Sequence, residues 1–298
     1  MIKVNRILAA TDLSAPARHA AERASLVARE TGASLGLLHV VGLAALEKLR
    51  RLVAAIPPEL EQRMLDSARE EMRELASTIF KHHAVSSDVH VVSGPLLAEL
   101  NAQAEASSAD LIILGARGAS FMRHVLLGST AERMVSRTTR PMLVVKQAAH
   151  ERYRSVLVPV DFSSASLSAI KSARAVAPGA EILLLHAFEV PFEGKLQFAG
   201  VNEETIAHYR LAAREEALQK LHALCRDAGI AQPDVRLMVL HGDPSQHIIE
   251  QEQEQDCDLI VMGKHGESMI EDMLLGSVTR HVLTESQCDV MVSVPNGE

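Results

Sequence analysis

An internal repeat constrains the fold of this chain more than any other feature of its sequence. "ADLIILGARGASFMRHVLLGS" (109–129) matches "CDLIVMGKHGESMIEDMLLGS" (257–277), with the three glycines offset by 148 residues, as from Gly115 to Gly263. "RILAATDLS" (6–14) likewise corresponds to "SVLVPVDFS" (155–163), and "LLHV" (37–40) to "LLHA" (184–187). Solenoid repeats are much shorter, so this period indicates a duplicated domain. We predict two domains, residues 1–147 and 153–296, with a linker near 148–152.

Predicted strands and helices alternate within each copy. In the first copy, helices are predicted between Ser14 and Gly32, over 58–82, from Pro95 and from Thr130. The runs between them are typical of buried strands: "RILAAT", "SLGLLHV", "DVHVV", "DLIIL" and "PMLVVK". This alternation predicts an α/β fold of two tandem doubly wound domains, each a five-stranded parallel sheet with helices on both faces. Ligands of such sheets bind at the carboxyl ends of the strands, where the strand order reverses.

Composition narrows the classes of function. A net charge of -8 argues against non-specific binding to nucleic acid or anionic membranes, and two Tyr, six Phe and no Trp disfavour a base-stacking surface. The three cysteines are widely spaced, and the 14 histidines show no H-x-x-x-H spacing, so we expect neither disulfides nor a metal site. No apolar run approaches the roughly 18 residues that span a bilayer. We expect a soluble protein in the reducing cytoplasm.

The repeated glycine segment is the first candidate binding element. Gly115 directly follows a predicted strand, where glycine permits positive φ and close approach of another group. Gly128 and Ser129 precede a helix, whose N-terminal N–H groups and dipole favour a phosphate. The segment is not a P-loop, because no lysine follows Gly128, and it follows the fourth strand rather than the first, unlike a Rossmann turn.

A structural interpretation competes with this one. The glycines would only turn the chain, and "STAE" (129–132) would form a capping box between Ser129 and Glu132. The second copy has Arg280 where Glu132 stands, yet it keeps the glycines and Ser277. Because capping does not account for what the copies share, the comparison favours a ligand site.

Two aspartates and two histidines end strands in both copies. Asp12 and Asp161 end the first strands, and each carboxylate is expected to face the same crevice as its glycine loop. There it could accept hydrogen bonds from a sugar hydroxyl or an exocyclic amine. The alternative is an N-cap or Asx turn entering the first helix. His39 and His186 end the second strands. No set of nucleophile, base and orienting group stands out, so no catalytic residue is predicted.

The pattern G-x₂-G-x₉-G-[ST] after a fourth strand, with "ATDLS" and "PVDFS" ending the first, resembles that of the universal stress protein family. The resemblance covers both copies and implies a sheet of the adenine-nucleotide α-hydrolase-like type. It also implies pairing of the copies through their last strands, "PMLVVK" and "DVMVSV". Family members that keep the glycine motif bind ATP and act as stress-linked regulators, with at most slow hydrolysis.

The resemblance also implies which residues would hold ATP, with or without Mg²⁺. Asp12 and Asp161 would hold the adenosine, and the backbone of Val40 and Ala187 would meet the adenine. The phosphates would lie over one group in each copy, namely Gly115, Arg117, Gly118, Gly128, Ser129 and Thr130, or Gly263, Gly266, Gly276, Ser277 and Val278. The alternatives are a slow ATPase or nucleotidyl-transfer enzyme, and a structural pair of domains with vestigial sites. A protein partner and a homodimer are left open.

The copies also differ. The first glycine loop is basic, whereas the second contains acids, so we predict tighter triphosphate binding in the first copy. The basic residues of the first loop are Arg117, Arg123 and His124, and the acidic residues of the second are Glu267, Glu271 and Asp272. The segments 42–60 and 188–205 differ most between copies and are candidates for partner or ligand specificity. Phe188, Phe192 and Phe198 in the second would form either an apolar lid or a loop packed over its own domain.

Overall fold

The computed structural model describes residues 3–42, 59–118, 127–190, 193–230, 235–266 and 275–294. The chain divides into two compact units between Arg152 and Tyr153. Within the described ranges, no helix combines the length and the apolar character needed to cross a membrane.

The first unit alternates strands and helices throughout. Its strands pair in parallel in the order β3-β2-β1-β4-β5, so the strand order reverses between β1 and β4. The elements are β1 (Arg6–Ala10), α1 (Ala15–Thr31), β2 (Ser34–Val41), α2 (Glu59–His83), β3 (Ser87–Ser93), α3 (Leu96–Ala106), β4 (Leu111–Gly115), α4 (Ser129–Arg137) and β5 (Met142–Val145).

The second unit has the same strand order, β8-β7-β6-β9-β10, and all its described pairings are parallel. It adds a short helix, α6, with no counterpart among the described residues of the first unit. The elements are β6 (Ser155–Pro159), α5 (Ser164–Val176), β7 (Glu181–Phe188), α6 (Glu193–Phe198), α7 (Glu203–Asp227), β8 (Val235–His241), α8 (Pro244–Glu254), β9 (Leu259–Gly263), α9 (Ser277–Glu285) and β10 (Asp289–Ser293).

The central strands explain why each sheet is covered by helices. No residue from Leu111 to Leu114 is more than 7% exposed, and none from Leu259 to Met262 is more than 5% exposed. A strand that is apolar at every position must be covered on both faces. In the first unit α1 packs on β1 and β4, and α3 packs on β2. The predicted fold class is confirmed.

The first helix begins and ends where the sequence predicts. The Ser14 hydroxyl accepts a hydrogen bond from the N–H of Ala17, at 3.4 Å, as an N-cap does. Gly32 adopts a φ of 73°, the left-handed conformation that ends many helices and that glycine adopts without steric cost.

The capping box that we considered as an alternative at α4 does not form, because Ser129 is not the N-cap. Gly128 is the N-cap and Ser129 is already the first helical residue, with no side-chain hydrogen bond at the cap. The cause is a contact outside the helix, because the Gly128 N–H donates to the carbonyl of Ala116 at 2.8 Å. That bond holds Gly128 extended, so the helix starts immediately after it. Gly276 caps α9 in the same way, and its N–H donates to the Lys264 carbonyl at 3.1 Å.

Candidate functional site

In both units an aspartate meets a glycine where the strand order reverses. A Cβ added to Gly118 would lie 2.6 Å from Oδ2 of Asp12, and one added to Gly266 would lie 2.7 Å from Oδ2 of Asp161. Real Cβ atoms do not come this close to another heavy atom. Only glycine therefore fits at these positions while the carboxylate keeps its place. Each aspartate therefore lies beside the described glycine that the sequence assigns to the same crevice.

The other carboxylate oxygen organises the turn into the first helix. Oδ1 of Asp12 accepts hydrogen bonds from the N–H and the hydroxyl of Ser14. Oδ1 of Asp161 accepts from the N–H and hydroxyl of Ser163, at 3.1 and 2.6 Å, and from the hydroxyl of Ser166 at 2.7 Å. The Asx turn considered as an alternative is therefore present, and it is compatible with the crevice. One oxygen shapes the turn while the other faces the glycine.

The residue after each aspartate has an unusual backbone conformation. Leu13 has a φ of 65° and Phe162 a φ of 67°. This left-handed region costs a side chain other than glycine about 1–3 kcal/mol, and such residues concentrate at functional sites. The same strain at the same position of both repeats identifies this turn as a feature that the surrounding structure maintains.

In each repeat one histidine forms a hydrogen bond to the residue that precedes the aspartate turn. Nδ1 of His39 lies 2.8 Å from the carbonyl oxygen of Thr11, and Nδ1 of His186 lies 2.8 Å from that of Val160. A carbonyl oxygen can only accept, so Nδ1 carries the hydrogen in both cases. Sequence reasoning assigned these histidines no role. Their recurrence 147 residues apart, at the end of the same strand, was the signal that could have identified them.

A cavity of about 670 Å³ opens at this edge of the second unit. Its volume lies within the range of about 300–1,000 Å³ that is usual for small-molecule sites. All seven residues predicted for the second repeat line it: Asp161, Ala187, Gly263, Gly266, Gly276, Ser277 and Val278. Arg280, in the first turns of α9, also lines it.

The residues predicted for the first repeat occupy the equivalent places. Val40 and Gly115 lie at the carboxyl ends of β2 and β4, and the partly buried Arg117 follows β4. Gly128 caps α4, and Ser129 and the exposed Thr130 begin it.

The glycine after the fourth strand has a packing role. A Cβ at Gly263 would lie 2.7 Å from Cβ of Ala165, in the first turn of α5. Its φ is not positive, so the conformational freedom that we expected at this position is not what requires glycine here. Glycine is needed because the helix approaches the strand closely. Gly128 is also restricted, since its added Cβ would lie 3.1 Å from the carbonyl of Ala116.

The charges that distinguish the repeats are only partly described. Arg123, His124, Glu267, Glu271 and Asp272 lie outside the described residues, so the predicted ranking of the two repeats stays a prediction. We call α4 and α9, the helices that follow the two glycine loops, the motif helices. Within the described part, the fourth residue of the motif helix is the partly buried Glu132 in α4 and the exposed Arg280 in α9. This difference is opposite in sign to the one expected from the loops.

The variable segment of the second repeat is anchored by charged groups. Glu193 accepts hydrogen bonds from Arg210 and lies 2.7 Å from Nε2 of His241. The Arg210 bond, followed by that of His241, lowers the pKa of Glu193 from its usual value. Phe188 packs against the His241 ring at 5.4 Å, whereas Phe198 is 97% exposed. Neither predicted alternative therefore describes the segment as a whole, and Phe192 lies outside the described residues.

The cysteines are core residues. Cys225, Cys257 and Cys288 are buried and free, and burial raises the thiol pKa of Cys257. In the part of the chain that the structure describes, no group of three or more His, Cys, Asp or Glu side chains could hold a metal ion.

Comparison with known proteins gives the family. The universal stress protein family model matches residues 3–146 and again residues 152–294. The chain therefore belongs to the universal stress protein family and carries two copies of its domain.

Individual relatives agree with this assignment. A universal stress protein of Methanocaldococcus jannaschii is 33% identical over 143 residues, covering 47% of this chain and 81% of the relative. One of Mycolicibacterium smegmatis is 30% identical over 199 residues, covering 63% of each chain. The crystal structure of a universal stress protein from Archaeoglobus fulgidus matches with a TM-score of 0.70 at 23% identity. That match covers 99% of this chain and all 100% of the other, and it supports the fold.

Proposed function

We propose that each repeat binds an adenine nucleotide, with ATP as the principal ligand, and that the chain acts as a nucleotide-responsive regulator in the stress response. The observation that carries the proposal is the convergence of Asp161, Gly266 and the N-terminus of α9 on one cavity of about 670 Å³. The first repeat has the same contact between Asp12 and Gly118. We take residues 1–147 and 153–296 as the two binding domains.

The residues around the cavity suit the parts of a nucleotide. A carboxylate accepts hydrogen bonds from ribose hydroxyls, and Asp161 is held in place for this by the donors on its Oδ1. Ala187, at the end of β7, offers backbone groups to a base. The N–H groups at the start of α9, from Ser277 onward, lack partners within the helix and favour an anion such as phosphate.

Binding accounts for these residues better than catalysis does. No lysine follows Gly128 or Gly276 at the position it would occupy in a P-loop. An octahedral Mg²⁺ keeps several waters and is held largely by phosphates, so it would arrive with the nucleotide and require few protein ligands.

The direct test is to identify what the protein retains. The purified chain is denatured and any released small molecule is identified by mass, and nucleotide-free protein is then titrated with ATP by calorimetry. We expect an adenine nucleotide in the first experiment or saturable heat in the second. Finding neither would refute the proposal. Sub-stoichiometric turnover of labelled ATP would distinguish a regulator from an ATPase.

A further inference from the structure

The two repeats build closely matched sites that differ in charge at several described positions, and at one of them the sign of the charge is reversed. In each, a glycine caps the motif helix through a hydrogen bond to the chain leaving the fourth strand, and an aspartate faces a second glycine at nearly the same distance. The fourth residue of the helix, however, is Glu132 in α4 and Arg280 in α9. Because the two repeats share this backbone geometry, Glu132 and Arg280 place opposite charges at equivalent positions.

We propose that this position sets how many phosphates each repeat prefers. Arg280 makes the second repeat selective for polyphosphorylated adenine nucleotides, and Glu132 shifts the first repeat toward adenine ligands that carry fewer phosphates. The inference rests on the proposed function and deepens it. It orders the repeats opposite to the expectation from the glycine loops.

The position of Arg280 supports this assignment. Arg280 lines the cavity together with Gly276, the N-cap of α9, and Ser277, its first residue. A guanidinium stays charged at any physiological pH and forms paired hydrogen bonds to phosphate oxygens. It adds to the anion preference of the helix N-terminus, and each further phosphate gives it more negative charge to attract.

The first repeat has a carboxylate instead of a guanidinium at this position. Glu132 places a carboxylate one turn into α4, opposite in sign to Arg117, which follows β4. In the second repeat the residue aligned with Arg117 is His265, which also lines the cavity. At these two aligned positions the first repeat has a cation and an anion, whereas the second has an arginine and a histidine, preceded by Lys264 where the first repeat has Ala116. Repulsion from Glu132 grows with the charge of the ligand, so it penalises ATP more than AMP.

The effect is expected to be moderate. Arg280 is exposed, so solvent and salt screen its interaction. We expect Arg280→Glu to weaken ATP binding at the second site by about three- to tenfold, with less than a twofold change for AMP. The reciprocal Glu132→Arg should strengthen ATP binding at the first site by a similar factor. Both changes should diminish as the salt concentration rises.

The experiment measures each site separately in the full-length chain. Gly118→Val silences the first site and Gly266→Val the second, with Asp12→Ala and Asp161→Ala as alternatives where a valine variant does not fold. Dissociation constants for ATP, ADP and AMP are measured by calorimetry at two salt concentrations. The matched control is Arg226→Glu, which makes the same charge change on an exposed arginine in the last turn of α7.

The possible results separate this inference from the function on which it rests. A larger ratio of AMP to ATP dissociation constants at the second site, reduced by Arg280→Glu and unaffected by Arg226→Glu, supports the inference. Equal ratios at the two sites, or equal effects of Arg280→Glu and Arg226→Glu, overturn it while leaving nucleotide binding intact. Failure of the unmodified chain to bind any of the three nucleotides contradicts the proposed function instead.

Discussion

The aspartate that follows the first strand of each repeat has different hydrogen-bond and packing partners in the two repeats. Oδ1 of Asp161 accepts a hydrogen bond from Ser166 in addition to those from Ser163, whereas the residue aligned with Ser166 in the first repeat is Ala17. Phe162 also stacks on His186, with ring centroids 4.3 Å apart. The first repeat has Leu13 at that position and cannot form the ring contact.

This difference separates what the site requires from what can vary. Both repeats keep the left-handed residue after the aspartate, the histidine bond to the preceding strand end and the approach of Oδ2 to a glycine. These features fix where the carboxylate points. The extra serine and the aromatic pair add stability to a turn whose geometry is already set. The following substitutions test this division.

The largest effect is expected from the glycine that faces each aspartate. Gly118→Val and Gly266→Val place a Cβ where Oδ2 lies and force the carboxylate away. Loss of its hydrogen bonds to the ligand should weaken nucleotide binding at that repeat by about 1.5–3 kcal/mol, roughly 10- to 100-fold. Calorimetric dissociation constants check this. The control is Gly194→Val, since an added Cβ there meets nothing within 4 Å. Unchanged affinity in either glycine variant would remove the aspartate from the site.

The histidines should be the next most sensitive positions. His39→Ala removes a hydrogen bond to the Thr11 carbonyl and should lower the free energy of unfolding by about 1 kcal/mol. His186→Ala also removes the contact with Phe162, so we expect about 0.5–1.5 kcal/mol more. Urea unfolding monitored by circular dichroism measures both. If the two variants lose equal stability, the ring contact does not distinguish the repeats.

Ser166 gives a smaller and reciprocal test. Ser166→Ala removes one donor to Asp161 and should cost about 0.5–1.5 kcal/mol of unfolding free energy, because the remaining donors keep the turn. Ala17→Ser introduces the same hydroxyl beside Asp12 and should gain part of that amount. Both variants should keep their nucleotide affinity within about twofold if Ser166 acts on stability alone. A large loss of affinity in Ser166→Ala would instead make the serine part of the binding site.

The smallest effect is expected from the variable segment of the second repeat, around Glu193. Arg210 lowers the pKa of Glu193 below its ordinary value of 4.5, so the ionised carboxylate stabilises the folded state. This contribution is fully present above the unfolded pKa and is lost as the pH falls through the folded pKa. Glu193→Gln should therefore lower stability at pH 7 and match the unmodified chain more closely at acid pH. Urea midpoints across this range check it, and a difference independent of pH would contradict it.

Local sequence was enough to predict much of the architecture. The repeat, the apolar runs and the Ser14 and Gly32 signals predict the alternation of strands and helices and the bounds of the first helix, because these depend on periodicity and capping. The meeting of Asp12 with Gly118 also followed from topology, since adjacent parallel strands end at the same edge of a sheet.

What the sequence did not predict depends on contacts between distant residues. "STAE" has the spacing of a capping box, but the bond from Gly128 to the Ala116 carbonyl decides where α4 starts. Gly263 excludes a side chain because Ala165, far away in the sequence, packs against it. The different roles of the two carboxylate oxygens of each aspartate cannot be predicted from the sequence either. Predicting them requires knowing where the serines and the glycine lie around one carboxylate.

The proposed function requires a nucleotide site in both repeats, built on the same aspartate–glycine contact. The most direct measurement is the stoichiometry of ATP binding to the nucleotide-free, full-length chain, by calorimetry with equilibrium dialysis against labelled ATP. We expect two ATP molecules per chain, with one site lost in Gly266→Val and the other in Gly118→Val. A single site, or none, would contradict it.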